Sequence, residues 1–233
     1  MDEAEFDKFA EEYKRIHAGN IRASGESPEF FAEYKVKESA KLVHQHDFPD
    51  ELSILDFGAG TGVSVPFFRR YLPQAKLTCL DVSRKSLAIG AKRFSSEAEF
   101  DHFDGRRIPV SDDAFHLVFA ACVFHHIPHE LHDCLLIEIF RVLKSGGILI
   151  IFEHNPNNPL TVHAVNTCPF DENAVLIRGS KFRELVQRAG FINDRLCYRI
   201  FFPAPLSFLR PVERFLTWLP LGAQYYVCAQ KPA

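Results

Sequence analysis

A chain of 233 residues, 47% hydrophobic and 24% charged, has the makeup of one soluble domain with decorations. Its 27 basic and 30 acidic residues are intermixed and sum to a net charge of -3, which argues against nucleic acid as the main partner. No apolar run approaches the roughly 20 residues that span a bilayer, no basic-then-apolar leader opens the chain, and six cysteines are scattered without a CxxC pair. These features set the expectation of a cytoplasmic protein with no integral membrane segment, disulfide framework or structural zinc.

Phe6, Phe9, Ala10, Tyr13 and Ile16 recur at helical spacing and predict a helix over 3–18. A second helix is expected from Pro28, marked by Phe31, Tyr34 and the apolar positions between Val36 and Leu42. Together, residues 1–48 are read as helices capping a site. Short apolar strands then alternate with helices: "LSILDFG" (52–58), "KLTCLDVS" (76–83), "AEFDHFD" (98–104), "AFHLVFAACVF" (114–124) and "GILIIFE" (147–153). Ser83 is placed to cap the helix "RKSLAIGAKRF", and another helix covers 130–143. Near-continuous apolar strands alternating with helices predict an α/β fold, a parallel sheet covered on both faces.

The last third differs. An Asn/Pro-rich connection runs over 154–180, and a helix over 180–189 stops at Gly190. Strands 191–201 and 223–230 are expected as an antiparallel edge pair. Between them, 202–220 reads as an amphipathic helix with proline punctuation. No clean domain boundary divides the 233 residues, so 154–180 and 202–220 are expected as lids or substrate-binding insertions.

The stretch "LDFGAGTG" places Asp56, Gly58, Ala59, Gly60 and Gly62 at a strand-to-helix turn. Glycines there let the backbone tighten and a ligand approach, while the helix behind offers unpaired N–H groups. Val63 and Ser64 follow where a phosphate-transferring loop needs Lys-Ser/Thr, and Val63 also replaces the third glycine of a dinucleotide loop. The nicotinamide reading is weakened without being removed. Asp56 suits a ligand with positive charge, and Asp81, at the end of the second strand, suits the two hydroxyls of a ribose. Their plain alternatives are a turn-forming acid and a helix cap.

With Asp81, "HFDGRRIPVSDDAFHLVFAACVFHHI" (102–127) and "RVLKSGGILII" (141–151), the chain resembles the class I S-adenosylmethionine-dependent methyltransferases acting on small molecules, over about residues 50 to 153. The resemblance implies a Rossmann-like, mostly parallel seven-stranded sheet with an antiparallel C-terminal strand and S-adenosyl-L-methionine as cofactor. It assigns Asp56, Gly58, Gly60 and Gly62 to the methionine portion, Asp81 to the ribose and Val82 to the adenine side. It further gives Asp104 to the adenine amino group, the Gly105 backbone to the ring, and Ala121 and Cys122 to the sulfonium end. Gly146 and Gly147 are expected in the turn into the fifth strand. The Asn/Asp-Pro-Pro-aromatic tetrad of adenine and amide-nitrogen methyltransferases is missing from "EHNPNN".

In an open parallel sheet, ligands bind beyond the carboxyl ends of the strands, which puts Glu153, His154 and Asn155 on the cofactor rim. His154 is the first candidate base, with His126 as a pocket-facing alternative, His125 read as partly structural, and Glu153 or Asn155 orienting the acceptor. Alternatively, Asn155 and Pro156 merely end the strand and Glu153 pairs with an arginine. "FHHIPHELH" has metal-like histidine spacings, but Pro128 interrupts it and no carboxylate partner emerges, so no metal is expected. Tyr13, Phe31, Tyr34, Phe170, Phe202, Phe208 and Trp218 suggest an aromatic lid over an apolar or amphipathic small molecule, with Arg210 and Arg214 available for an anionic group. Transient membrane contact through 202–220 is a further option. A fold that kept the nucleoside site and lost catalysis is the remaining alternative.

Overall fold

A computed structural model describes residues 25–233, leaving out the Phe170 side chain; the helix expected over 3–18, with Tyr13, lies outside the described residues. Five strands run parallel: β1 (Ser53–Phe57), β2 (Lys76–Asp81), β3 (Glu99–His102), β4 (Phe115–Ala121) and β5 (Leu143–His154). β6 (Ile192–Arg199) and β7 (Gln224–Gln230) complete a seven-stranded sheet of order β3-β2-β1-β4-β5-β7-β6. β6 and β7 do pair antiparallel, but only β6 forms the edge, because β7 is inserted antiparallel between β5 and β6.

The apolar runs form strands because both sheet faces are covered. Leu55, Phe57, Leu149 and Ile151 point to one core, and Ile54, Ile148, Ile150 and Phe152 to the other. Each such side chain contributes about 1.5–3 kcal/mol by leaving water. Helices α1 (Pro28–Val43) and α2 (Val65–Tyr71) cover the second face, α1 capped by Ser27, whose side chain accepts from the Phe30 N–H. α3 (Arg84–Phe94) is capped at Ser83 as expected. α4 (His129–Val142) and α6 (Gly179–Arg188) cover the first face through Leu135, Leu136, Ile139, Phe182 and Val186.

Three local expectations change. β4 stops at Ala121, since Cys122 takes a left-handed φ of 60° and a 3₁₀ turn follows at Phe124–His126. β5 begins directly where α4 ends, so Gly146 and Gly147 lie within it rather than before it. The 154–180 connection contains α5 (Pro159–Asn166), capped by Asn158, and a 3₁₀ turn at Pro169–Asp171.

The 202–220 segment contains a 3₁₀ stretch, Ala204–Phe215, kinked at Leu206 and with Pro211 inside it. Prolines 203, 205 and 211 remove amide donors, so a continuous α-helix does not form. No helix among the described residues is long and apolar enough to cross a membrane.

Candidate functional site

The strand order reverses at β1, between β2 and β4, which opens a crevice beyond their carboxyl ends. A cavity of about 630 Å³ fills it, in the size range of small-molecule sites. The glycine loop forms one wall. Gly58 has φ 77°, and a Cβ there would lie 2.4 Å from Val123 Cγ2, so any side chain collides. Gly60, at φ 55°, is different: a Cβ would meet nothing within 4 Å. That space belongs to the cavity, and it gives a ligand direct access to backbone.

Two carboxylates frame this wall. Asp81 Oδ2 accepts from the Gly60 N–H at 2.8 Å and Oδ1 from the Ser83 N–H at 2.8 Å, so the acid both caps its turn and braces the loop. Burial raises its pKa, and the backbone donors oppose the rise. Asp56 is 2% exposed and accepts the Ser64 hydroxyl. Burial pushes its carboxyl up to about 7, against the Ser64 hydrogen bond and with some help from Asp81. A buried acid with one hydroxyl partner, facing a cavity, suits a ligand that brings positive charge. The open cradle at Gly60, the Asp81 rim and Asp56 thus fit a nucleoside carrying a cationic chain.

At the floor, Cys122 receives Lys35 Nζ at 3.1 Å and Gln224 Nε2 at 3.8 Å. Tyr34 donates its hydroxyl to Gln224 Oε1, so it supports the floor without lining the cavity. Burial would push the Cys122 thiol up, but His154 and Lys35 outweigh it and bring it down to about 6. Cys122 and Ile200 both line the cavity and both adopt left-handed φ, 60° and 61°. That conformation costs about 1–2 kcal/mol for a non-glycine residue, and such strain tends to gather at functional sites.

A histidine cluster closes the far side. Glu153, 1% exposed, accepts from the Val123 and Phe124 N–H groups at 3.0 and 2.7 Å through Oε1, while Oε2 lies 2.6 Å from His125 Nδ1. Glu153 therefore pairs with a histidine rather than an arginine, and it sits behind the cavity wall. His125 Nε2 and His126 Nε2 face Asp171 Oδ1 at 3.6 and 3.3 Å, and the His125 and His154 ring centroids are 5.1 Å apart. Burial works against a charge on His125, but Glu153 and then Asp171 prevail and raise its pKa to about 10. Burial and the neighbouring His125 bring His126 down to about 3.

Ala59, Val82, Ala121, Cys122, His126 and His154 all line the cavity with Asp56, Gly58, Gly60 and Asp81. Several other expected residues stand elsewhere. Asp104 is exposed and accepts from the Arg106 and Arg107 N–H groups at 2.9 and 3.0 Å, and neither it nor Gly105 lines the cavity. Asn155 is fully buried and donates to the carbonyls of Pro220 and Gly222 at 3.2 and 2.7 Å, which ties the end of β5 to the loop before β7.

Arg210 lies over the Phe30 ring at 4.7 Å and pairs with Glu26 at 2.5 Å, fastening the 3₁₀ stretch to the start of α1. Arg214 is exposed beside Phe215. Lys35, Gln224 and Asp171 were not singled out by sequence. Lys35 follows Tyr34 on an otherwise marked helix face, whereas nothing local distinguishes Gln224 or Asp171.

Residues 54–147 match the family model of a methyltransferase domain. Over 111 residues, 46% of the chain and 44% of the relative, the protein is 30% identical to a ubiquinone/menaquinone biosynthesis C-methyltransferase of Desulfotalea psychrophila. It is 27% identical to a malonyl-[acyl-carrier protein] O-methyltransferase of a Marinomonas species over 59% of the chain and 51% of the relative. The chain spans about half the length of these relatives. A Thermotoga maritima structure described as an S-adenosylmethionine-dependent methyltransferase, possibly acting on histamine, superposes with a TM-score of 0.68, covering 98% of both chains at 19% identity. At that identity the likeness speaks for fold alone.

Proposed function

The chain has the fold of the class I S-adenosylmethionine-dependent methyltransferases, and from that premise we propose that it transfers the cofactor's methyl group to a small apolar or amphipathic acceptor. The observation that carries this reading is one cavity of about 630 Å³ with two unlike sets of lining residues. The Gly60 cradle and the two carboxylates line it, and so do the apolar side chains of Phe31, Leu160, Val165 and Phe201.

When bound, the cofactor supplies a methyl group already activated on a sulfonium, so the protein mainly has to orient, shield and manage a proton. Asp81 holds the ribose hydroxyls, the 58–62 backbone approaches the methionine portion, and Asp56 answers its ammonium. Ala121 and Cys122 border the reacting end. His154, in the cavity wall beside Cys122, accepts the acceptor's proton. Glu153 touches neither ligand in this scheme; it is a positioning residue that fixes His125 and the 123–124 backbone.

α5 and the Cys168–Asp171 turn contribute Leu160, Val165, Cys168 and Asp171 to the walls, as a lid would. Past Pro203 the chain exposes Phe208, Phe215 and Trp218, at 72%, 63% and 72%. Aromatic residues so exposed, in a segment that follows the cavity-lining Phe201 and Pro203, suit an acceptor collected from a lipid surface. One of the relatives named above is a C-methyltransferase of ubiquinone/menaquinone biosynthesis by its name, which is consistent with an apolar acceptor.

The test is a binding titration with S-adenosylmethionine beside NADH, followed by incubation with labelled cofactor and a host extract and identification of the product by mass. Binding of NADH alone would replace the reading with an oxidoreductase. Cofactor binding without a labelled product would leave a non-catalytic nucleoside-binding protein.

A further inference from the structure

We propose that His125, His126 and Asp171 form a binding site for a divalent first-row metal ion, of which zinc is the reference case, opening onto the cavity. One ligand atom from each residue lies within 4.8 Å of the other two. Asp171 Oδ1 is 3.3 Å from His126 Nε2 and 3.6 Å from His125 Nε2. Metal–ligand bonds of about 2.0–2.2 Å around a tetrahedral centre separate the ligand atoms by roughly 3.3–3.6 Å. The two separations match two edges of such a coordination polyhedron.

The support behind the cluster points the same way. Glu153 is a buried carboxylate with one oxygen held by two backbone N–H groups and the other 2.6 Å from His125 Nδ1. Such a partner keeps the proton on Nδ1 and turns Nε2 outward as an acceptor, the orientation that histidine ligands receive from a second carboxylate. The Asp171 segment is also fixed to the pair, since the Val175 N–H donates to the His125 carbonyl at 2.8 Å.

All three ligands line the cavity, so a fourth position faces its interior, where water or an oxygen of the bound acceptor completes the set. Two histidines and one carboxylate form a donor set of intermediate softness, suited to zinc, iron(II) or cobalt(II). Metal binding stands independently of the methyl-transfer reading; the coordination of an acceptor oxygen rests on it. The rival occupant of the gap is a proton, which would make His125 an imidazolium between two carboxylates.

Chelator-stripped full-length protein should be titrated with zinc and, for a visible spectrum, cobalt(II), with bound metal counted after gel filtration. The expected result is one ion per chain. D171N and H126A should weaken binding at least about tenfold, E153Q about 10–100-fold through His125, and H129A, altering an exposed histidine nearby, should leave it unchanged. Circular dichroism and S-adenosylmethionine binding report on whether each variant is folded. If the stripped wild-type chain is folded and takes up no metal, or if D171N and H126A bind as well as the parent, the site is an ion-pair cluster and the proposal is overturned. Metal binding without S-adenosylmethionine binding would instead overturn the function proposed above and leave this site standing.

Discussion

Asp81 and Gly60 are joined by a hydrogen bond of 2.8 Å from the glycine N–H to the carboxylate, so the loop after β1 and the acid ending β2 form one unit. The same carboxylate accepts from the Ser83 N–H, and Asp81 lines the cavity. Asp81→Ala removes both the brace and the ribose acceptor. Hydrogen bonds to charged groups contribute about 1.5–3 kcal/mol each, which predicts a cofactor affinity lower by about 10–100-fold. Calorimetric titration checks it, and an unchanged affinity would remove Asp81 from the ribose role.

The glycine loop separates structural from ligand demands. Gly58→Ala drives a Cβ into Val123 at a left-handed φ, so it should destabilise the fold by several kcal/mol and lower the melting temperature clearly. Gly60→Ala meets no protein atom, so its stability loss should be limited to backbone strain of about 1–2 kcal/mol. Its cofactor affinity should nevertheless collapse, because the methyl occupies ligand space. Equal melting shifts in the two variants, with binding retained by Gly60→Ala, would contradict this division.

Asp56 predicts a pH dependence. Its folded pKa of about 7 lies above the unfolded value of about 3.9. The folded state thus binds more protons between these values, and the stability Asp56 contributes is full below the unfolded value and lost as pH rises toward 7. The loss is on the order of 4 kcal/mol, and Asp56→Asn should flatten it. A cationic ligand favours the ionised carboxylate, so cofactor binding below pH 7 should release up to one proton. Affinity should therefore rise between pH 6 and 8 in the parent and not in Asp56→Asn. Calorimetry in two buffers of different ionisation enthalpy measures the proton directly, and pH-independent binding by the parent would sink the assignment.

Local pattern carried much of the architecture. Ile54 to Phe57 and Ile148 to Phe152 are apolar on both faces because helices cover both faces, and that shows in a single run of residues. The position of β7 does not, since its neighbours β5 and β6 are distant in sequence and either edge satisfies its apolar pattern. The site divides in the same way. Gly58, Gly60, Asp56 and Asp81 sit at strand ends, where sequence alone marks them. Asp171 reaches His126 only through the folded 154–180 segment, and the Asn155 amide reaches the carbonyls of Pro220 and Gly222 across 65 and 67 positions. The periodicity of 202–220 suggested a helix, and the missing proline amides made it 3₁₀.

The exposed aromatics give a test of acceptor delivery. Phe208 and Trp218 are both 72% exposed, and neither side chain supports the core. Replacing both with serine should leave the melting temperature within a few degrees. It should also lower co-sedimentation with lipid vesicles at least severalfold, because each inserted aromatic contributes apolar area. Vesicle binding that is absent in the parent, or unaffected by the double change, would confine the acceptor to the aqueous phase.

His154 carries the last expectation. It lines the cavity at the end of β5, beside Cys122 and with its ring 5.1 Å from that of His125, yet it makes none of the contacts that hold the glycine loop. His154→Ala should therefore keep S-adenosylmethionine affinity within about twofold. Removal of a general base typically slows a reaction by about 10²–10⁴-fold, so turnover of the identified acceptor should fall in that range. The deficit should shrink toward high pH, where the acceptor ionises without help. A variant with parental turnover at every pH would mean that the acceptor arrives already ionised and that His154 only shapes the wall.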